Sequence, residues 1–73
     1  MENERIEELL IYMKETNKIL IQLETEYENK KRYMNKSEIK LIKDSITHYS
    51  NLWHNYNNEL TALYYKVGFI YAN

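Results

Sequence analysis

Two histidines are the residues of this 73-residue chain best suited to acid–base or metal chemistry. His48 and His54 are six positions apart, and that spacing places them on different faces of a helix, since helical neighbours are three or four residues apart. Asp44 precedes His48 by four residues, which predicts a surface pair between them. The Glu-x-x-His motif of di-iron helical bundles does not occur in the sequence. We therefore expect no metal site and no histidine catalysis.

Other catalytic arrangements are equally hard to build from this composition. The chain has no cysteine and a single glycine, which excludes thiolate sites and glycine-rich phosphate loops. Ser37, Ser45 and Ser50 have no histidine placed to activate them as nucleophiles. The sequence thus predicts a protein that is not an enzyme and that binds no cofactor.

Basic residues cluster around position 33, where they suit phosphate binding. They are Lys30, Lys31, Arg32, Lys36, Lys40 and Lys43. The net charge of the whole chain is −1, so nothing attracts it globally to nucleic acid. The first three of these residues also suit the negative end of a helix dipole. Nucleic-acid association through this region is therefore an alternative hypothesis rather than the leading one.

Apolar side chains repeat along the second half of the chain in strictly alternating steps of three and four residues. The positions are Ile39, Ile42, Ile46, Tyr49, Trp53, Tyr56, Leu60, Leu63, Val67 and Ile70. This alternation is typical of a coiled-coil seam. A similar series in the first half contains Ile6, Leu9, Met13, Thr16, Leu20, Leu23 and Tyr27. The absence of proline leaves both stretches free of strong helix breakers, so the predicted fold class is all-α.

A break between the two series predicts an antiparallel helical hairpin. Asn35 and Glu38 have the spacing of a capping box, and Ser37 is the alternative N-cap. We expect one domain over residues 1–73, with helix 1 over about 3–32, a turn over about 33–36 and helix 2 over about 36–70. Folding about Asn35 pairs residues whose numbers sum to about 69, which places Thr16 near Trp53.

Both apolar stripes are wider than the contact between two helices. A chain this short buries little apolar surface in its core. When disulfides are absent, oligomerisation commonly supplies the missing stability. We therefore expect a homodimer, in which two coiled-coil-like hairpins form a four-helix bundle. The predicted oligomer interface consists of Ile46, Tyr49, Trp53, Tyr56 and Leu60.

The C-terminal segment is rich in tyrosine and continues past the start of helix 1. Its predicted partner-binding residues are Tyr64, Tyr65, Phe69 and Tyr71. Gly68 predicts a helix end nearby, whereas the heptad predicts helix to Ile70 or beyond. The aromatic surface is either buried in the homo-oligomer or docks on another protein.

The leading functional hypothesis follows from surplus aromatic surface without catalytic chemistry. It is a small interaction protein that binds and regulates a larger protein partner, as an inhibitor, a sequestering factor or a bridge. A purely structural homo-oligomerising module is the alternative. The acidic start Met-Glu-Asn-Glu and the lack of a long apolar run predict a cytoplasmic protein that does not bind a membrane.

Overall fold

The computed structural model describes residues 2–67, which form two helices joined by a short turn. Helix α1 spans Glu2–Lys30 and helix α2 spans Lys36–Val67. The two helices pack against each other, and no strand occurs within the described residues. This arrangement confirms the predicted all-α helical hairpin. The predicted helix continuation from Gly68 to Ile70 lies outside the described residues.

Helix α1 ends at Lys30, slightly before the predicted end near residue 32. The amide of Lys31 still donates to the carbonyl of Tyr27 at 2.8 Å, as in a helix. The amide of Tyr33 then donates to the carbonyl of Lys30 at 2.9 Å, which tightens the chain into an i→i+3 turn. Residues 31–35 therefore connect the helices.

Helix α2 begins with the predicted capping box. The Glu38 amide donates to Asn35 Oδ1 at 2.8 Å, and the Asn35 amide donates to Glu38 Oε1 at 3.2 Å. The Ile39 amide donates to the Asn35 carbonyl at 3.0 Å, which is the first turn of the helix. Asn35, and not Ser37, is thus the N-cap, and it satisfies amides that a helix start leaves without partners.

The register between the helices follows the predicted pairing. Leu9 packs against Leu60 in the core, and Met13 and Tyr56 both pack on the same cluster. Near the turn, the Lys43 ammonium lies 5.6 Å from the centroid of the Tyr27 ring. These contacts run in opposite order along the two helices, so the hairpin is antiparallel.

The core is small and lies mainly at the end of the hairpin opposite the turn, which we call the open end. Its buried apolar residues are Ile6, Leu9 and Leu60. Thr16 is buried further along α1, where its hydroxyl donates to the carbonyl of Tyr12 at 2.7 Å. That bond satisfies the polar group within its own helix. Most other seam residues are only half-buried by the hairpin, including Leu20, Leu23, Ile46, Tyr49 and Trp53.

Candidate interaction surfaces

The five residues predicted to form the oligomer interface do not lie on one outer surface. Leu60 is buried inside the hairpin by Ile6 and Leu9, because α1 extends far enough to cover it. Little of its side chain remains for a second chain. Tyr49 and Tyr56 lie towards one flank of the seam, and Ile46 and Trp53 lie towards the other. The structure thus divides the predicted set between two flanks and the core.

One flank carries a cluster that joins the two helices at the open end; we call it the clamp face. It consists of Arg5, Glu8, Tyr12, Tyr56 and Glu59. Arg5 Nε donates to Glu59 Oε2 at 2.6 Å, and Nη2 donates to Oε1 at 3.0 Å. This bidentate geometry is the strongest form of an arginine–carboxylate pair. This ion pair connects α1 to α2.

The aromatic part of the clamp face sits beside that ion pair. The Tyr12 and Tyr56 rings are 5.6 Å apart between centroids, and the Arg5 guanidinium carbon lies 5.9 Å from the Tyr12 centroid. The Tyr12 hydroxyl donates to Glu8 Oε2 at 3.3 Å. These distances suit aromatic packing and a cation–π contact. Every charged group of the clamp face therefore has a partner within the chain.

The pKa values in the clamp face are displaced by the same ion pair. Hydrogen bonds from Arg5 lower the pKa of the Glu59 carboxyl, and partial desolvation opposes that effect. The bond to Glu59 raises the pKa of Arg5, so the guanidinium stays charged. A carboxylate held ionised by a structural arginine is poorly suited to proton transfer near neutral pH. The cluster fits a helix–helix clamp better than an acid–base site.

Sequence reasoning did not find the Arg5–Glu59 pair. Residues that lie opposite each other in the hairpin have numbers that sum to about 69, whereas Arg5 and Glu59 sum to 64. The two residues are therefore offset along the helices, and two long side chains are needed to bring their charged groups together. The available signal was the opposite charge of residues near the two ends of the chain, which an antiparallel hairpin brings together. Several such pairs are possible for any charged hairpin, and only the three-dimensional register selects among them.

The opposite flank of the hairpin mixes apolar, neutral polar and charged side chains. Its residues are Leu10, Lys14, Asn17 and Ile21 on α1 and Ile46, Ser50, Trp53 and Asn57 on α2. Leu10 and Tyr12 leave α1 on opposite sides of Leu9, because successive helical residues are rotated by about 100°. Leu10 and Ile21 are about three turns apart and share a side. Both are exposed, whereas the four α2 residues are half-buried.

The predicted partner-binding residues have different environments. Tyr64 is half-buried and packs on the open-end core, so it contributes to the fold. Tyr65 is rotated away from Tyr64 and is 53% exposed. Phe69 and Tyr71 lie outside the described residues. Within residues 2–67, Tyr65 is thus the member of the predicted set that offers surface to a partner.

Half of the basic residues near the turn form ion pairs with carboxylates three or four residues away in sequence. The Nζ–oxygen distances are 3.6 Å for Lys30–Glu26, 3.0 Å for Lys31–Glu28 and 3.1 Å for Lys40–Asp44. The hydrogen bond from Lys31 to Glu28 raises the pKa of Lys31. These nearby carboxylates reduce the positive potential that phosphate binding requires.

The histidines form aromatic contacts, and His48 does not form the predicted surface pair with Asp44. Asp44 accepts a hydrogen bond from Lys40, which has a longer reach than His48 and competes for the same carboxylate. The His48 ring packs edge-on against Tyr49 at 5.1 Å, and the His54 ring packs against Trp53 at 5.4 Å. Over the described part of the chain, no group of three potential metal ligands occurs.

Two shallow grooves lie on the part of the surface that residues 2–67 form. One, of about 290 Å³, lies near the turn and is lined by side chains that include Leu23, Met34, Leu41 and Ile42. The other, of about 420 Å³, is formed by α1 alone around Ile21. Both are open to solvent, whereas small-molecule sites bury most of the ligand surface. Neither groove has the enclosed shape of a typical small-molecule site.

Comparisons with protein-family models, curated proteins and solved structures find no match to this chain. Neither α1 nor α2, over the described residues, has the length and apolar composition needed to cross a bilayer. The contacts and exposed surfaces described above are consequently the basis for inferring function.

Proposed function

We propose that this chain is a non-enzymatic interaction protein that forms a homodimer and regulates a larger protein by binding to it. The dimer is a four-helix bundle of two hairpins. The observation that carries this proposal is the incomplete coverage of the seam by a single hairpin. Leu20, Ile46, Tyr49 and Trp53 repeat with the spacing of core residues but remain half-buried.

The accessible surface supports self-association quantitatively. The chain exposes 5862 Å² and has a mass of 9.0 kDa. A compact monomer of that mass exposes about 4,900 Å² by the usual scaling of surface with mass. The excess of about 1,000 Å² is close to the roughly 800 Å² that each partner contributes to a standard protein interface. A standard interface with one further hairpin would remove most of this excess relative to a compact monomer.

Binding of a larger protein is proposed through the tyrosine-rich end of α2. Tyr65 is exposed while its neighbour Tyr64 packs on the core, so the tyrosine is displayed from a supported part of the helix. Tyrosines in such settings are enriched among residues that dominate binding energy. A protein of this size regulates by occupying a surface, either to inhibit its partner, to sequester it or to bridge it to another protein.

The experiment that tests this proposal uses a photo-crosslinking amino acid at position 65 of the full chain, in the cells that naturally produce it. Position 33 is the matched control, because Tyr33 is also a tyrosine and is 87% exposed at the turn. We expect a covalent adduct heavier than two copies of the chain from position 65 and not from position 33. Added wild-type chain should reduce that adduct, and a Tyr65→Ala chain should reduce it much less.

A purely structural module is the second candidate, and the inward packing of Tyr64 favours it. In that case, position 65 yields only monomer and crosslinked dimer. That outcome would contradict the binding of a larger partner but would leave self-association intact. The nucleic-acid hypothesis has weaker support, because Lys30, Lys31 and Lys40 already pair with carboxylates three or four residues away in sequence.

A further inference from the structure

The groove near the turn has an apolar lining that the hairpin leaves open to solvent; we call it the turn groove. Its apolar side chains are Leu23, Met34, Leu41 and Ile42. Ile42 is buried, Leu23 and Met34 are half-buried, and Leu41 is 68% exposed. The groove around Ile21 is a weaker candidate for docking, because its other lining residues are polar or charged. The turn groove is therefore the depression whose chemistry suits an apolar occupant.

The two charged residues of the turn groove already have partners within the chain. Glu26 Oε1 lies 3.6 Å from Lys30 Nζ, and Glu38 Oε1 accepts from the Asn35 amide at 3.2 Å in the capping box. An occupant that carries a charge would compete with these partners, whereas an uncharged occupant leaves both contacts unchanged. The expected occupant is thus an uncharged segment with large apolar side chains.

The end of the given sequence supplies a segment of this kind. Residues 68–73 read Gly-Phe-Ile-Tyr-Ala-Asn, with no charged side chain and with three large apolar residues in succession, Phe69, Ile70 and Tyr71. We call residues 68–73 the terminal segment. Aromatic and aliphatic side chains of this size are the usual anchors of interfaces between proteins.

We propose that the terminal segment of a second copy of this chain docks in the turn groove. The two copies lie antiparallel, so that each terminal segment occupies the turn groove of the other copy. The inference rests on the proposed homodimer and specifies its orientation and one of its contacts. A two-fold pair makes the contact twice and leaves no open groove or segment, which closes the assembly at two copies. Tyr65 lies outside the terminal segment, so binding of a larger protein there is compatible with this dimer.

The terminal segment is too short to reach the turn groove of its own chain. Leu41 precedes Val67 by 26 positions in the continuous helix α2, which separates the two residues by about 39 Å at about 1.5 Å per residue. Tyr71 follows Val67 by four residues, and four fully extended residues span about 14 Å at most. An occupant of the turn groove that comes from this segment therefore belongs to another copy.

Antiparallel packing places the terminal segment of one copy beside the turn groove of the other. When two hairpins lie side by side in opposite directions, the open end of one is level with the turn of the other. Leu41 lies five residues after Lys36, or about 8 Å from the start of α2. Phe69 and Tyr71 can extend about 7 and 14 Å beyond Val67, so their reach matches this distance. A parallel pair would place both segments about 40 Å from both grooves.

The location also agrees with the distribution of packing along the hairpin. The buried cluster of Ile6, Leu9 and Leu60 lies at the open end, and the turn groove lies at the other end. A terminal segment from a second copy adds apolar contacts where the hairpin itself supplies fewest.

The test is disulfide crosslinking, which is specific here because the chain has no cysteine of its own. Full-length Leu41→Cys and Phe69→Cys chains are mixed and oxidised at a concentration at which sedimentation velocity shows a dimer. A disulfide requires Cα atoms within about 7 Å of each other, so the crosslink reports contact between the terminal segment and the groove. Ile11→Cys is the matched control for Leu41→Cys, because Ile11 is 58% exposed but points away from α2. Circular dichroism of each reduced variant checks that the hairpin is intact.

We expect the Leu41→Cys and Phe69→Cys mixture to yield about ten times as much crosslinked dimer as the Ile11→Cys and Phe69→Cys mixture. Phe69→Cys alone should yield no more than that control, since an antiparallel pair places its two terminal segments at opposite ends. Leu41→Lys provides a second readout, because it places a charge in the apolar groove. It should raise the dimer dissociation constant about tenfold, whereas Ile11→Lys should change it by less than about threefold.

Each other outcome overturns the inference in a distinguishable way. Efficient crosslinking of Phe69→Cys with itself would place both terminal segments at the same end, which contradicts the antiparallel pair. A dimer that forms without the crosslink between positions 41 and 69 would show that the terminal segment does not occupy the turn groove. Both results leave the proposed homodimer in place. A wild-type chain that stays monomeric at every concentration overturns the homodimer together with this inference.

Discussion

The open end and the turn end of the hairpin are held together by different means. At the open end, Ile6, Leu9 and Leu60 are buried, and the bidentate Arg5–Glu59 pair bridges the helices. At the turn end, Ile42 is buried, whereas Leu41 is 68% exposed. The chain connection already holds the two helices together there, and the capping box fixes the start of α2. Packing is thus densest where the covalent chain gives the least help.

The difference has a physical cause in loop closure. Arg5 and Glu59 are 54 residues apart in sequence, whereas the turn closes through five residues, 31–35. Joining distant segments costs more chain entropy than joining near ones. The open end therefore needs contacts of its own, and the turn end can form from local interactions.

The largest expected effect comes from removing the centre of the open-end core. Leu9 is the most completely buried side chain, with 0% exposed, so Leu9→Ala should destabilise the fold by about 2–5 kcal/mol. Leu23→Ala, the same change at a half-buried position near the turn, should cost clearly less. Urea denaturation followed by circular dichroism, at one fixed chain concentration, measures both.

Ile11→Ala is the surface control for this comparison, because Ile11 faces solvent on the same helix. It should change the free energy of unfolding by no more than about 0.5 kcal/mol. If Leu9→Ala and Leu23→Ala lower the free energy of unfolding by the same amount, packing at the two ends contributes equally to stability. The contrast between the two ends is then wrong.

An intermediate effect is expected at the turn end, from loss of the capping box. Asn35→Ala removes the side-chain oxygen that accepts from the Glu38 amide, which should cost about 1 kcal/mol. Ser37→Ala is the matched control, since Ser37 lies within α2 and does not cap it. Thermal unfolding of the two variants distinguishes Asn35 from Ser37 as the N-cap. Equal decreases in melting temperature would show that the helix start in solution differs from the structure.

The helical pairing was predictable because its signals are local or periodic. The alternation along α2 and the Asn35–Glu38 spacing each specify geometry without reference to the rest of the chain. The separation of flanks was not predictable in the same way. A heptad identifies the line of contact, but whether Tyr56 or Trp53 lies on a given side depends on how α1 is rotated against it.

The candidate site was predicted less well than the fold for a related reason. Tyr64 and Tyr65 are adjacent and identical in type, and only their rotation relative to Leu9 and Leu60 makes Tyr64 pack against the core while Tyr65 is exposed. Arg5 and Glu59 are a similar case, because charge alone does not select a partner. Sequence periodicity predicts which residues face a helix, and tertiary contacts decide which of them remain available.

The smallest expected effect concerns the ion pair at the open end. Because Arg5 lowers the pKa of Glu59, the pair stabilises the folded state above the carboxyl pKa of the unfolded chain, which is about 4.3. That contribution is lost as the pH falls through the lower folded-state value. Arg5→Ala should therefore reduce the melting temperature slightly at neutral pH and hardly at all in strong acid, since exposed ion pairs contribute little.

Arg5→Ala should also raise the pKa of Glu59 towards its ordinary value in an NMR titration. Lys18→Ala is the control, because Lys18 pairs with Glu15 of the same helix at 3.7 Å and joins nothing across the hairpin. A Glu59 pKa that does not change in Arg5→Ala would show that the clamp is not formed in solution, and packing alone would then close the open end.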